Sequence, residues 1–126
     1  MMTDILYSVT DRVATLSFNR PEKKNAITAA MYQVAADSLK TADANDAVRV
    51  IVLTGEGGCF TAGNDLEDFL QNPPQGDDSS VTQFMNALRS MTKPVVAAVP
   101  GLAIGIGTTL LMHCDLVYAA NTAKFA

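Results

Sequence analysis

The sequence has little of what several common chemistries require. It holds two cysteines, Cys59 and Cys114. They show no metal-ligand spacing and are too few for a disulfide framework, which fits a reduced, cytoplasmic protein. Its one histidine, His113, stands next to Cys114. Side chains on a helix meet at separations of three or four, so these neighbours cannot form a Cys-His catalytic pair. No apolar run is long enough to span a membrane, and the opening MMTDILYSVTDR lacks the basic-then-apolar pattern of a secretory signal. Lys and Arg number 9 against 13 Asp and Glu, a net charge of -4. Without clustered cations a nucleic-acid surface is not expected.

What is present is a core-forming composition. Hydrophobic residues make up 48% of 126 positions, enough for one globular domain and no more. Ile5 to Thr10 and Val13 to Asn19 read as a hairpin turning at Asp11-Arg12, with Ala14, Leu16 and Phe18 on one face. Thr28 suits the N-cap of a helix with Met31, Val34, Ala35 and Leu39 on one stripe, closed by the polar TADANDA stretch. Val48 to Leu53 and Val95 to Val99 are near-continuous apolar runs, the pattern of strands buried in a parallel sheet. Between them lie a possible Asp65-capped helix through Phe69, a polar, proline-bearing surface insertion at 71–80, and a helix with Val81, Phe84, Met85, Leu88 and Met91 at core spacing. Glu67 and Asp68 read as solvated helix charges.

Two glycine-rich stretches follow the two apolar strands. GEGGCFTAG occupies 55–63, and PGLAIGIG occupies 100–107 before a helix from about Ile106 through Cys114. With a further strand at 116–119, the succession is βαβαβ, an α/β pattern with parallel strands. Ligands in such sheets collect outside the carboxyl ends of the strands, so both glycine stretches can converge on one cleft. The free N–H groups at the start of the second helix would suit an oxygen that gains negative charge. Neither stretch has the G-x-G-x-x-G spacing of a dinucleotide fold or the Lys-Ser/Thr of a P-loop. Thr122 to Ala126 begins another extended segment. It leaves a strand edge to be covered, so the chain is expected to be the N-terminal half of a single domain, 1–126.

Four motifs in this order resemble the crotonase, or enoyl-CoA hydratase/isomerase, superfamily: NRPEKKNAIT (19–28), FTAGNDL (60–66), KPVVAAVPGLAIGIG (93–107) and CDLVYA followed by AKFA. The resemblance implies a spiral of ββα repeats truncated at Ala126, completed elsewhere, in subunits that assemble as homotrimers or dimers of trimers. It implies an acyl-CoA thioester as substrate, with coenzyme A as part of that substrate, and no separate cofactor or metal. The shared chemistry is stabilisation of a thioester enolate by two backbone N–H groups. Those map to Asn64 and Ile106. Substrate contacts map to Lys23, Lys24 and Ala26 along the coenzyme A phosphates and pantetheine, to Ala62 and Leu66 near the adenine and pantetheine arm, and to Gly105 in the bend. Asp65 stands beside a donor, as an acid or as a loop brace, while Cys59 and Thr61 read as packing residues.

One departure bears on the reaction. Family hydratases place a glutamate where this chain has Thr109, and a hydroxyl cannot serve as a carboxylate base near neutral pH. The resemblance therefore leans to the branch that moves a double bond from the 3 to the 2 position of an enoyl-CoA, using one carboxylate supplied further along. A hydratase is the alternative, and a non-catalytic acyl-CoA-binding or assembly subunit is the reading of another class. A serine peptidase on the same spiral would need a Ser near the bend, and GLAIGIG has none.

Overall fold

The computed structural model describes residues 4–126. Residues 1–3 of the opening segment lie outside them. A β hairpin leads the chain: β1 (Ile5–Thr10) and β2 (Val13–Phe18) pair antiparallel from Ile5↔Phe18 to Thr10↔Val13. Asp11 and Arg12 have φ of 51° and 68°. Two consecutive positive φ values are what a two-residue turn needs to match the twist of the strands. Ala14, Leu16 and Phe18 are buried, as the alternation predicts.

Helix α1 (Ala29–Ala44) opens at Thr28, whose side chain accepts from the Met31 amide. It closes inside the polar TADANDA stretch, as expected: Thr41 to Ala44 are helical and Asn45 ends it. Lys93 Nζ donates to the carbonyls of Ala42 and Asn45 at 2.9 and 2.6 Å, a cation placed where helix carbonyls lack partners. Strand β3 (Val50–Gly55) begins two residues later than the apolar run. Val48 is buried, but its amide is committed to Asn45 O at 2.9 Å in the turn after α1.

Short α2 (Leu66–Gln71) precedes an exposed segment, 71–78, within the expected surface insertion. Helix α3 (Ser80–Arg89) then lays Phe84, Ala87 and Leu88 into the core against α1, with Tyr32 and Phe84 rings 5.6 Å apart. Strands β4 (Val95–Val99) and β6 (Leu116–Ala119) complete a five-stranded sheet in the order β1-β2-β3-β4-β6, parallel from β2 onward. Only alternate residues of β4 are fully buried, so its apolar run covers one deeply buried face and one shallower one.

Two features refine the sequence reading. The extended segment at the end is β7 (Lys124–Phe125), which pairs in parallel on one side with a two-residue strand, β5 (Leu102–Ala103), and is exposed. The main sheet has its edges at β1 and β6, and on β6 Leu116, Val117 and Tyr118 are exposed. The helix expected over 106–114 is α for four residues, α4 (Ile106–Thr109), and 3₁₀ for the next four, Leu110–His113. So short an α segment adds little macrodipole; what it offers is individual amides. The units β1-β2-α1 and β4-β5-α4 repeat a ββα order.

Candidate active site

The site candidates lie on three backbone ribbons held side by side. The middle ribbon is 60–65, after β3. On one side runs 24–27: Ala62 N donates to Lys24 O (2.9 Å), Ile27 N to Gly63 O (2.8 Å) and Asp65 N to Ile27 O (2.9 Å). On the other side runs 102–107: Phe60 N and Thr61 N donate to Leu102 O (3.0 and 3.1 Å), and Ile104 N to Thr61 O (3.0 Å). The contact is close enough to need glycine. A Cβ on Gly107 would sit 2.6 Å from Thr61 Cγ2, and one on Gly63, where φ is +95°, would sit 3.0 Å from Ile104 O.

This weave orients two free donors. The Asn64 and Ile106 amides have no hydrogen-bond partner among the described residues. A trans peptide unit points its N–H opposite to its own C=O. Gly63 C=O is taken by Ile27, so the Asn64 N–H in the same plane faces away from 24–27, toward the side of the ribbon where 102–107 lies. Gly105 C=O accepts from Thr108 N and Thr109 N, both at 3.0 Å, so the Ile106 N–H points out of the start of α4. Gly105 permits that entry with φ 60° and ψ -120°, a conformation only glycine adopts readily.

The remaining sequence candidates fall into two groups. Lys23, Lys24, Leu66, Gly105 and Thr109 are exposed, and Ala26 and Ala62 are half-buried beside the ribbons. Lys23 closes a 3₁₀ turn, Pro21–Lys23, and Lys24 follows it at φ 52°. Thr109 directs its hydroxyl back onto Gly105 O at 3.2 Å. Asp65 is already committed. Its carboxylate accepts from the Asp68 amide (2.9 Å), capping α2, and from Arg20 Nη1 (2.7 Å), which also donates to Ala26 O (3.1 Å). These bonds make Asp65 a brace between Arg20 and the start of α2.

Those bonds, the Asp68 amide first and Arg20 second, hold the Asp65 carboxyl below its usual pKa. A carboxylate with a depressed folded pKa stabilises the fold above its unfolded value, about 3.9, and loses that contribution as pH falls through the folded value. The unfolding midpoint should therefore drop more steeply between about pH 4 and 2 in the parent protein than in Asp65→Asn, followed by circular dichroism. Equal slopes would show that the ion pair contributes nothing.

Several organising residues escape a local reading of the sequence. Asn25 is fully buried; its carboxamide donates to the carbonyls of Glu56, Cys59 and Phe60 at 3.0, 2.9 and 3.2 Å and accepts from Arg20 N at 2.7 Å. Thr61 is also fully buried and is more than packing: its hydroxyl donates to Asn25 O (2.6 Å) and accepts from Gly63 N (3.0 Å). Cys59 Sγ donates to Lys24 O at 3.3 Å. Asp68 is not a freely solvated charge, since Oδ2 accepts from Ala29 N (2.7 Å) at the first turn of α1. Tyr32 donates its hydroxyl to Asn64 Oδ1, and both line a pocket of about 40 Å³ between α1, α2 and α3 with Ile27, Phe69 and Val81. For Asn25 the only sequence signal was its place inside the NRPEKKNAIT motif; for Tyr32 it was a position one turn after Thr28, outside the expected stripe of Met31, Val34, Ala35 and Leu39.

A parallel sheet with ββα repeats and two free, oriented amides after adjacent strands defines an α/β chain of the crotonase fold. It superposes on Pseudomonas aeruginosa OdaA with a TM-score of 0.94 and 49% identity over 98% of this chain and 50% of that one. A family model described as enoyl-CoA hydratase/isomerase matches residues 8–126. The chain belongs to the enoyl-CoA hydratase/isomerase family. It is 42% identical to Escherichia coli 1,2-epoxyphenylacetyl-CoA isomerase over 99% of this chain and 50% of that protein. It is 38% identical to human enoyl-CoA delta isomerase 2 over 91% of this chain and 31% of that protein. Proteins named as dehalogenases and hydratases match as well. The chain thus spans between about a third and a half of the length of these curated relatives.

Proposed function

We propose that this chain supplies the enolate-stabilising half of an acyl-CoA-processing site, with double-bond isomerisation, 3-enoyl to 2-enoyl, as the reaction. The observation that carries it is the pair of amides, Asn64 and Ile106, unpartnered among the described residues, on neighbouring ribbons and each turned outward by N–H donors bound to the carbonyl on the other side of its own peptide plane. Proton loss from carbon 2 of a 3-enoyl thioester sends an electron pair toward the carbonyl oxygen. Two fixed donors at that oxygen lower the barrier because they need no reorganisation as the charge forms. Return of the proton at carbon 4 yields the conjugated 2-enoyl product. Lys23 and Lys24 offer point charges to the coenzyme A phosphates; Ala26, Ala62 and Leu66 flank the pantetheine arm, and Gly105 keeps the approach to the oxygen open.

Asp65 and Asp68 are engaged in bracing, so the carboxylate that carries the proton is assigned to a part of the native gene product outside these residues. Thr109 at the position of a hydratase glutamate is what favours isomerisation over water addition. The subunits are assigned to a homotrimer or a dimer of trimers. The test is the native gene product on 3-enoyl-CoA and 2-enoyl-CoA in parallel, following absorbance of the conjugated thioester. Conversion of the 3-enoyl substrate, with water addition to the 2-enoyl one at least ten-fold slower, is the expected result. The converse ratio overturns the isomerase assignment, and activity on neither overturns the thioester reading. Thr109→Glu is expected to raise water addition to crotonyl-CoA; no rise in a folded variant counts against the importance of that position.

A further inference from the structure

Asn64 has a second polar group that enolate stabilisation by its amide does not use. The orientation of that amide depends on the peptide plane between residues 63 and 64, which turns about Gly63 ψ and Asn64 φ. Gly63, at φ +95°, offers little steric resistance to such a turn. On one side the plane is fixed by the bond from Ile27 N to Gly63 O. On the other side, Asn64 is restrained by the bond from Asp65 N to Ile27 O at 2.9 Å and by its own side chain, which is held by the Tyr32 hydroxyl on Asn64 Oδ1.

Tyr32 is well made for holding. The residue is 4% exposed, its ring packs on Phe84, and its backbone amide is bonded to Thr28 O at 3.0 Å in the first turn of α1. Burial pushes its phenol pKa well above the ordinary value, so the hydroxyl keeps its proton at any pH suited to an assay. Ile27 and Tyr32 flank the α1 cap at Thr28, so one short stretch of chain grips residues 63–65 at three points: Gly63 O, Asp65 N and the Asn64 carboxamide.

We infer that Tyr32 is a positioning residue, which acts through the Asn64 carboxamide to hold the Asn64 N–H in register with the Ile106 N–H. This rests on the thioester reading for its kinetic consequence, but not for its structural one. Tyr32→Phe keeps the ring and removes the tether. Asn64→Ala keeps the backbone donor and removes the other end. In the native gene product, each is expected to lower kcat for 3-enoyl-CoA by about ten-fold while KM stays within two-fold, since a donor misplaced by a fraction of an ångström loses transition-state stabilisation and not substrate binding.

A double-mutant cycle decides the route of action. If Tyr32 acts through Asn64, the double variant falls no further than either single one. Independent, multiplying losses overturn the inference, as does Tyr32→Phe with parental kcat. The second readout is the backbone order parameter of Asn64 measured by NMR relaxation, which requires no turnover. It should sit near the rigid value of about 0.85 in the parent protein and fall toward about 0.6 in Tyr32→Phe. An unchanged order parameter overturns the inference whatever the enzyme does. Parental protein inactive on both thioesters, with the order parameter still falling, overturns the thioester reading and leaves the tether standing.

Discussion

Ile106→Pro in the native gene product is expected to lower turnover of 3-enoyl-CoA by about 10²- to 10³-fold, roughly 2.7 to 4 kcal/mol of transition-state stabilisation. Proline is the substitution of choice because it deletes the N–H and little else. Ile106 is the first residue of α4, a position whose amide has no partner within the helix and whose φ proline can adopt. The helical bonds nearby, Gly107 N to Ile104 O and Thr109 N to Gly105 O, do not involve the Ile106 amide. Ile106→Ala is the control: it keeps the donor and trims a partly buried side chain. Loss of turnover in the proline variant, with the alanine variant much closer to the parent, assigns the effect to the N–H. Equal losses in both would trace it to packing.

The largest expected effect on stability belongs to Asn25→Ala. Four hydrogen bonds converge on this carboxamide in a site with no exposed surface. Truncation leaves the carbonyls of Glu56, Cys59 and Phe60 and the amide of Arg20 without that partner, and each buried group left unsatisfied costs about 1–3 kcal/mol. Even if water reaches part of the gap, a loss of at least about 3 kcal/mol is expected in denaturant unfolding. Asn25 sits at φ 58°, where Asn and Gly are tolerated better than Ala, which adds to the loss. Asn25→Asp separates the two causes: it keeps shape and backbone preference but presents oxygens to three carbonyl oxygens. A change below about 1 kcal/mol for Asn25→Ala would show that the 56–60 loop is held by other means.

The contrast between these two residues shows what the sequence discloses. The Ile106 donor was legible because its cause is local: a Gly-rich bend after an apolar strand, followed by a helical pattern, leaves an unpartnered first-turn amide wherever it occurs. The same holds for the hairpin at Asp11-Arg12 and for the caps at Thr28 and Asp65, all set by a few adjacent residues. Asn25 and Thr61 were opaque because the carbonyls they donate to lie more than thirty positions away in the chain, and a polar residue in a loop looks solvated until the loop is seen to be buried. Asp68 was opaque for the same reason, since one of its oxygens accepts from the start of α1 and the other from Asn72 at the end of its own helix. The β5/β7 pair escaped because two-residue strands carry no periodicity. The polar stretch at 41–47 marks where α1 ends, but not that Lys93 secures the last carbonyls from across the core boundary.

The ribbons also account for the glycines that fix their spacing. Gly107 lies so close to Thr61 that any side chain would push α4 off the 60–64 loop, and Gly63 meets Ile104 O in the same way. Close contact between the ribbons thus sets their spacing, while the Tyr32 hydroxyl on Asn64 Oδ1 bears on the direction of the Asn64 N–H. Such spacing tolerates variation at position 106, because every residue except proline has the required N–H.

The most direct measurement is a crystal structure of the native gene product with a non-reactive acyl-CoA thioester analogue bound. The thioester oxygen is predicted to lie about 2.7–3.1 Å from both the Asn64 and the Ile106 nitrogen. An oxygen bonded to only one of them, or held elsewhere on the molecule, would contradict the account.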